Sequence, residues 1–260
     1  MSDWAVILGA SSGFGGASAR ALAKAGLNIF GIHLDRKATM PNIDAIIHDI
    51  TATGRQAVFF NINAADSSKR TETIAAIKNT TGTGDRVKVL LHSLAFGTLK
   101  PIITQDPAEA ISQSQVEMTL DVMASSLVYW AQDLYRADLL TKGSQIFALT
   151  SSGGRRQWPT YGAVSAAKAA LESYVRQLAL ELSSEQIAAN CIQAGVTDTP
   201  ALRKIPGHEQ MIAHAGKINP GKRLTTPEDI AAAITLLGLS EQTWLTSNVI
   251  RVDGGEDITG

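Results

Sequence analysis

The sequence predicts an α/β fold in which one doubly wound parallel sheet is covered by helices on both faces. Short apolar runs, each long enough for one strand, alternate with segments of helical periodicity along the 260 residues. Such alternation is typical of parallel sheets, because a helical crossover returns the chain to the same edge of the sheet. The length and the lack of a visible linker indicate a single domain over residues 1–260.

Seven candidate strands and six candidate helices follow from this pattern. The strands are expected at residues 4–8, 27–33, 56–60, 87–93, 144–150, 186–195 and 248–255. The helices are expected before Gly26 and at residues 40–54, 67–80, 106–137, 162–182 and 226–238. In the fourth helix, Asp106 has the marks of an N-cap, with Pro107 at the first helical position and Glu109 two residues later.

That fourth helix is unusually apolar. Its large side chains exceed what one face of a sheet requires, which indicates a subunit interface. They are Met118, Val122, Leu127, Trp130 and Leu134.

Composition excludes several classes of function. The net charge is −1 and the basic residues are scattered, so neither a nucleic-acid surface nor an anionic-membrane surface is indicated. The single cysteine, Cys191, lies in a candidate strand and is interpreted as a core residue of a protein from a reducing compartment. No targeting segment or membrane span is visible, and we expect a soluble cytoplasmic protein without a metal site.

A glycine-rich turn joins the first strand to the first helix. Gly9, Gly13 and Gly15, together with Ser11, Ser12 and Phe14, form the sequence GASSGFG. Glycines at this place permit a tight turn and let backbone amides at a helix N-terminus face a pyrophosphate. The position predicts dinucleotide binding in a Rossmann fold, although the same glycines could form a merely structural turn.

The residues that follow the second strand should determine whether the protein binds NADH or NADPH. His33 occupies the expected ribose position, and Arg36 and Lys37 could bind the 2′-phosphate of NADPH. Asp35 could instead accept the ribose hydroxyls of NADH, and a solvated charge cluster is a third interpretation. We favour NADPH and keep NADH as possible, with Asn61 and Ile62 at the adenine edge.

The fourth strand ends in His92-Ser93-Leu94-Ala95-Phe96, beside the switch point where such sheets bind ligands. The backbone from Ser93 to Ala95 is expected at the cofactor. Phe96 is a candidate for the substrate pocket wall, or else a core residue. We interpret His92 as structural, since single histidines at strand ends are usually hydrogen-bonded within the core.

Tyr161 and Lys168 carry the predicted chemistry. On a helix seven residues advance about 700°, so the two side chains share a face about two turns apart. A lysine ammonium near a phenol lowers the phenol pKa and favours proton transfer at neutral pH. Ser151, at the end of the fifth strand, is the third candidate catalytic residue, and Trp158 is expected in the substrate pocket.

The segment after the sixth strand should complete the site. Gly195 and the hydroxyls of Thr197 and Thr199 could hold a nicotinamide carboxamide. Residues 200–217 show no strong periodicity, which indicates a mobile substrate-binding segment over about 196–217 that includes Leu202.

Jointly, these motifs resemble those of the short-chain dehydrogenase/reductase family along essentially the whole chain. The resemblance rests on GASSGFG, HSLA, Ser151 with Tyr161 and Lys168, IQAGVTDT and the terminal VDGG. Two departures point to one branch. Val164 stands where the usual family tyrosine precedes lysine by four residues, and Met123 stands where an asparagine is expected.

The branch that this pattern resembles contains bacterial enoyl-acyl-carrier-protein reductases, whose signature is Tyr-x6-Lys. Ser151 stands where many of them have a second tyrosine, as in the NADPH-dependent enoyl reductase III type. The resemblance implies an acyl-carrier-protein or coenzyme A thioester as substrate, fatty acid synthesis as the setting, and a homotetramer. It also implies that Lys168 holds the nicotinamide ribose.

The chemistry of enoyl reduction agrees with the displaced tyrosine. In a ketone, hydride and proton go to the same C–O bond, whereas in an enoyl thioester charge develops on an oxygen three bonds from the hydride acceptor. Moving tyrosine by three helical residues shifts its hydroxyl by about 4.5 Å, toward that distant oxygen. The alternatives are a carbonyl or hydroxyl oxidoreductase and a regulator that senses NADPH without turnover.

Overall fold

The computed structural model of the protein describes residues 2–259, and these form one seven-stranded parallel sheet with helices on both faces. The strands are β1 (Asp3–Leu8), β2 (Asn28–His33), β3 (Ala57–Asn61), β4 (Arg86–His92), β5 (Gln145–Ser151), β6 (Ala188–Ala194) and β7 (Val249–Val252). Their order in the sheet is β3-β2-β1-β4-β5-β6-β7. The predicted fold class is confirmed. The strand order reverses between β1 and β4, so a ligand crevice is expected above their carboxyl ends.

Eight α-helices are present in the described residues. They are α1 (Gly13–Lys24), α2 (Met40–Thr51), α3 (Ser67–Thr80), α4 (Gln113–Leu120), α5 (Ser126–Arg136), α6 (Gly162–Leu182), α7 (His208–Ile218) and α8 (Pro227–Gly238). No helix within residues 2–259 is long and apolar enough to cross a membrane.

Each face of the sheet has its own apolar core, because the β-strands are buried on both sides. One core joins the sheet to α5 and α6 through side chains such as Trp130 and Leu171, and it includes Cys191. The other joins the sheet to α1, α2 and α8, with Leu22, Ile46 and Ile234 as representatives. The two helix layers pack the sheet from both sides. Because the strands are parallel, their carboxyl ends lie along one edge of the sheet, and the loops that follow them lie there together.

The predicted start of the fourth helix is wrong. Asp106 does not begin a helix; its carboxylate accepts a hydrogen bond from the Ala108 amide and closes a local turn. The helix begins at Gln113, where the Ser112 hydroxyl and the Gln115 side chain form a reciprocal capping box. Two cap signals lie six residues apart in the sequence, and the one that satisfies two orphan amides prevails.

The apolar side chains of this region do not support the predicted interface. Val122, Leu127, Trp130 and Leu134 are all buried within their own chain, and the Trp130 indole donates to the Ala64 carbonyl at 2.9 Å. The helix is apolar because it lies against the sheet and against α6, which surround it with core.

The segment 200–217 contains a helix that its sequence does not predict. Residues Leu202–Lys204 form a 3₁₀ turn and α7 follows after Gly207. Among the residues of α7, only Ala215 is buried. Its apolar residues Met211, Ala215 and Ile218 follow helical spacing and line the cavity, but this stripe spans only two turns and buries no large side chain, so the periodicity is weak.

Candidate active site

The glycine loop lies against the end of β4. Gly9 has a φ of +91°, and a Cβ there would lie 2.5 Å from the Ser93 carbonyl oxygen. A Cβ on Gly15 would overlap the Gly9 carbonyl. Only glycine allows this close packing of strand, loop and helix, which leaves the amides at the N-terminus of α1 directed toward the sheet edge. The loop therefore fits a pyrophosphate.

A cavity of about 640 Å³ opens beside this loop, above the ends of β4, β5 and β6. It brings together most of the predicted site residues. They are Phe14, Ser93, Leu94, Ala95, Ser151, Trp158, Tyr161, Lys168, Gly195, Thr197, Thr199 and Leu202. Phe96 is not among the lining residues; its side chain is 55% exposed. Its neighbours Ala95 and Gly97 both line the cavity, so Phe96 alone is left out of the lining at this point of the chain.

Tyr161 and Ser151 form the polar centre of the cavity. Tyr161 is the N-cap residue of α6, and its carbonyl accepts the Ser165 amide at 2.8 Å. A Cβ on Gly153 would lie 2.7 Å from the Tyr161 ring and 3.2 Å from the Ser151 hydroxyl, so both side chains close on this glycine. Within residues 2–259 the buried Ser151 hydroxyl has no hydrogen-bond partner of good geometry, which leaves it available to a substrate oxygen.

The pKa of Tyr161 lies above its ordinary value, because burial disfavours the phenolate and the nearby Ser151 hydroxyl offsets this only in part. The prediction that Lys168 lowers this pKa is wrong, because the Lys168 ammonium has another partner. It donates instead to the Leu149 carbonyl of β5 at 2.6 Å. Tyr161 is therefore a phenol at neutral pH and can act as a proton donor.

Lys168 is a buried cation. Burial lowers its pKa to about 8, against the opposing influence of Cys191 and Glu172. Its side chain lines the cavity beside Ser151 and Tyr161. The ammonium thus has hydrogen atoms to offer to a bound molecule at neutral pH, in addition to the one that Leu149 accepts.

Part of the cavity wall beside these polar groups is apolar. Val164 and Met123 line the cavity and are both buried, and a Cβ on Gly97 would lie 2.7 Å and 2.8 Å from their side chains. These are the two positions where the wider family carries a tyrosine and an asparagine. The cavity consequently has a hydroxyl donor at Tyr161 and none at Val164.

A π-helical segment, Asp121–Ser125, places Met123 in this wall. The Ser126 amide bonds to the Asp121 carbonyl, and the Ser126 hydroxyl donates to the Val122 carbonyl at 2.8 Å. His92 lies 3.0 Å from the same hydroxyl through Nε2. Burial chiefly lowers the pKa of His92 to about 3, so the ring is neutral and supports the π-helical turn, in agreement with its structural interpretation.

The adenosine end of the site lies beyond β2 and β3. His33 is buried and its Nδ1 is 3.2 Å from the Asp35 carboxylate, so it supports Asp35 and does not itself face a ligand as predicted. Asn61 binds the Asp35 backbone through both of its amide atoms, at 2.9 Å each. Arg36 is exposed, and Ile62 packs partly into the core. Asp35 is thus held by both His33 and Asn61 just beyond the carboxyl end of β2.

Sequence reasoning missed the contribution of the C-terminal segment. The Glu256 carboxylate lines the cavity and accepts the Val196 amide at 3.1 Å, and the Asp257 carboxylate pairs with Arg155, Arg156 and Arg251. The signal available was topological, because any residue that follows the last parallel strand emerges at the edge where ligands bind.

Comparison with known proteins decides the family. The family model described as Enoyl-(Acyl carrier protein) reductase matches residues 9–256. The chain belongs to this family. The enoyl-acyl-carrier-protein reductase (NADH) FabI of Nostoc sp. is 31% identical over 204 residues, which span 78% of this chain and 76% of that protein. The resemblance drawn from the Tyr-x6-Lys signature is confirmed.

Solved structures agree with this fold. The enoyl-acyl-carrier-protein reductase (NADH) of Aquifex aeolicus superposes with a TM-score of 0.85 at 21% identity, covering all of this chain and 97% of the other. A short-chain dehydrogenase of Burkholderia cenocepacia in complex with NADP gives a TM-score of 0.82, also at 21% identity, covering 98% of each chain. At such identities the likeness shows the seven-stranded architecture alone.

The charge of Lys168 predicts how cofactor binding depends on pH. Because its pKa is about 8, the ammonium is present below that pH and is lost above it. If Lys168 holds the ribose hydroxyls, affinity for the reduced cofactor should fall by up to about tenfold for each unit above pH 8. Fluorescence titration of the cofactor between pH 6 and 10 measures this. Lys168→Arg, which keeps its charge, should remove the dependence; the same decline in both proteins would contradict the assignment.

Proposed function

We propose that the protein reduces the carbon–carbon double bond of trans-2-enoyl thioesters with a reduced nicotinamide dinucleotide. The observation that carries this proposal is the replacement of the ketone-reductase proton donor by Val164 in an apolar wall, with the phenol of Tyr161 about one turn earlier. A substrate that accepts hydride far from its developing oxyanion suits this displaced donor.

The residues of the site fit a nicotinamide dinucleotide. Gly9 packs so closely against Ser93 that a side chain at this position would not fit, and the loop would therefore contact a pyrophosphate through its backbone. Thr199 lies 3.7 Å from a Cβ built on Gly13, which brings the segment after β6 next to this loop. Gly195, Thr197 and Thr199 would hold the carboxamide, and Lys168 the ribose. When bound, this group supplies the hydride.

The chain's own groups would handle the proton and the charge. Tyr161 donates a hydrogen bond to the thioester oxygen, and its raised pKa keeps the proton on the phenol until charge develops there. Ser151 supplies a second donor to the same oxygen. The apolar surface of Val164, Met123 and Leu99 excludes water from the reacting carbons, which strengthens both hydrogen bonds.

Tyr161 should therefore control the rate. Removing one donor to a developing oxyanion typically lowers kcat by about 10²- to 10³-fold, so Tyr161→Phe should fall in this range with the substrate KM little changed. Steady-state oxidation of NADPH or NADH with crotonyl thioester measures it. Tyr135→Phe, an exposed tyrosine of α5, is the matched control and should keep its rate.

The same assay separates the alternatives. The wild-type protein should scarcely reduce acetoacetyl thioester, because Val164 cannot donate a proton to a ketone oxygen. A faster rate with acetoacetyl thioester would establish a carbonyl reductase instead. Cofactor binding without turnover of either substrate would indicate a sensing protein.

We propose NADPH as the preferred cofactor, with NADH as the alternative. Arg36 and Lys37 are exposed and make no ion pair within the described residues, so both are available to a 2′-phosphate. Asp35 favours NADH, since its pKa is lowered by Ser11, Thr39 and His33 despite its burial, and an ionised carboxylate accepts ribose hydroxyls. The Nostoc relative is named for NADH, and the Burkholderia structure holds NADP.

The two cofactors can be distinguished at Arg36. Arg36→Ala should raise the KM for NADPH by at least about tenfold, or about 1.4 kcal/mol, and leave that for NADH nearly unchanged. Arg55→Ala, an exposed arginine remote from the cavity, is the matched control. Equal effects on both cofactors would remove the NADPH assignment.

We further propose an acyl-carrier-protein or coenzyme A thioester as substrate, handled in the cytoplasm by a single-domain subunit. The relatives named above act, by their names, on acyl carrier protein. The segment 196–217 is proposed as a mobile cover of the pocket, because Leu202, Ile205 and Met211 line the cavity from a stretch with little buried surface.

A homotetramer is also proposed. Strand β7 lies at the edge of the sheet with Val249 exposed, and Trp244 is 90% exposed just before it. Leu236 of α8 and Leu180 of α6 are exposed as well. Unpaired strand edges and exposed apolar side chains favour association. Light scattering at micromolar concentration should give four times the chain mass, and a monomer would refute the proposal.

A further inference from the structure

The loop between Ser151 and Tyr161 is held in a strained conformation. Thr160, the residue directly before Tyr161, has a φ of +65°, in the left-handed region that β-branched side chains avoid. Its hydroxyl is buried and has no hydrogen-bond partner within residues 2–259. A backbone of this kind persists only where the surroundings enforce it. Contacts elsewhere must therefore hold the loop in place.

One anchor of the loop lies on its cavity side. The Trp158 indole donates to the Pro206 carbonyl at 3.0 Å and packs on Gly207, where a Cβ would lie 3.2 Å from the ring. This contact ties the loop to the segment that precedes α7, which itself has few buried residues. A weakly packed segment cannot by itself enforce a strained turn.

The other anchor is Asp257, from the C-terminal turn. Its carboxylate accepts a hydrogen bond from Arg155 at 2.6 Å and lies 3.3 Å from a guanidinium nitrogen of Arg156. Arg156 also donates to the Asp257 carbonyl at 3.0 Å, and Arg155 to Gln193 of β6 at 3.1 Å. Two successive loop residues are thus bound to one carboxylate and to the sheet.

The burial of Asp257 and its own hydrogen bonds make it a rigid partner for the two arginines. Its side chain is 3% exposed, whereas those of Arg155 and Arg156 are about half exposed, so the carboxylate is fixed and the excess positive charge is solvated. Arg251 of β7 adds a third ion pair at 3.0 Å. The Asp257 amide donates to the Asp253 carboxylate at 3.1 Å, which fixes the turn itself.

We propose that Asp257 is a positioning residue of the active site: it clamps Arg155 and Arg156 and thereby maintains the strained turn that brings the Tyr161 phenol to the Ser151 hydroxyl. Asp257 touches neither substrate nor cofactor in this role. Its effect reaches the reaction through the loop, and the inference about rate rests on the proposed reduction of enoyl thioesters.

Asp257→Asn tests the clamp with little change of shape. Because misplacing a reacting group by about 1 Å can cost up to about a hundredfold in rate, kcat with crotonyl thioester should fall by about ten- to a hundredfold. The KM for the cofactor should change less than kcat, since Arg155 and Arg156, which Asp257 binds, belong to the loop that precedes Tyr161 and not to the glycine loop. Asp49→Asn, which breaks an exposed pair with Arg20, is the matched control and should leave both constants unchanged.

A second substitution separates positioning from general stability. Glycine adopts the Thr160 conformation without strain, so Thr160→Gly should restore several-fold of the kcat lost in Asp257→Asn, measured against Thr160→Gly alone. If Asp257→Asn does not fold, Arg155→Gln removes one arm of the clamp and enters the same cycle. An unchanged kcat in the clamp variant, or a loss that glycine does not relieve, would overturn the proposal.

Hydrogen exchange keeps this test independent of the reaction. Amides of residues 152–161 should exchange faster in Asp257→Asn than in the wild type, with or without activity toward any thioester, while those of α1 and β1 stay unchanged. Faster loop exchange in a protein that does not reduce enoyl thioesters would refute the proposed function and leave the clamp standing. Unchanged loop exchange would refute the clamp.

Discussion

The contact between the Lys168 ammonium and the Leu149 carbonyl is the interaction on which the site depends. A buried cation requires a polar partner. The Leu149 carbonyl, which lies in β5 just before Ser151, accepts a hydrogen bond from the ammonium at 2.6 Å. The contact fixes α6 against the end of β5. Ser151 and Tyr161 are then the two ends of one loop whose ends are held together, and the left-handed Thr160 directly precedes the second end.

The cavity has two kinds of lining surface. Tyr161 and Ser151 contribute hydroxyls, and Val164 and Met123 contribute only carbon and sulfur. Space at Gly97 is so limited that these two apolar side chains already fill it. A ketone bound here would have its oxygen against the apolar wall, where a developing charge has no donor, whereas a thioester oxygen one turn away meets two.

The sequence predicts this site well where the signals are local. The glycine loop, the strand ends and the Tyr161–Lys168 spacing each lie within a few residues, and the cavity or the loop beside it contains most of them. It fails where contacts are distant or signals compete. Two N-cap signals precede α4, and the apolar stripe of α7 spans only two turns. The electrostatic effect of Lys168 on Tyr161 depends on which oxygen accepts a hydrogen bond from the ammonium.

The role of the C-terminal segment shows why such distant contacts matter. Asn219 donates to the Asp253 carbonyl at 2.8 Å, Glu256 accepts the Val196 amide, and Asp257 binds Arg155. These contacts join the loop after β5 and two parts of the connection between β6 and β7 to the same short turn. Residues that share one network typically couple by about 0.5–3 kcal/mol. The loops of the cavity should therefore order together, so that a substitution in the last ten residues acts on a phenol nearly a hundred residues earlier in the chain.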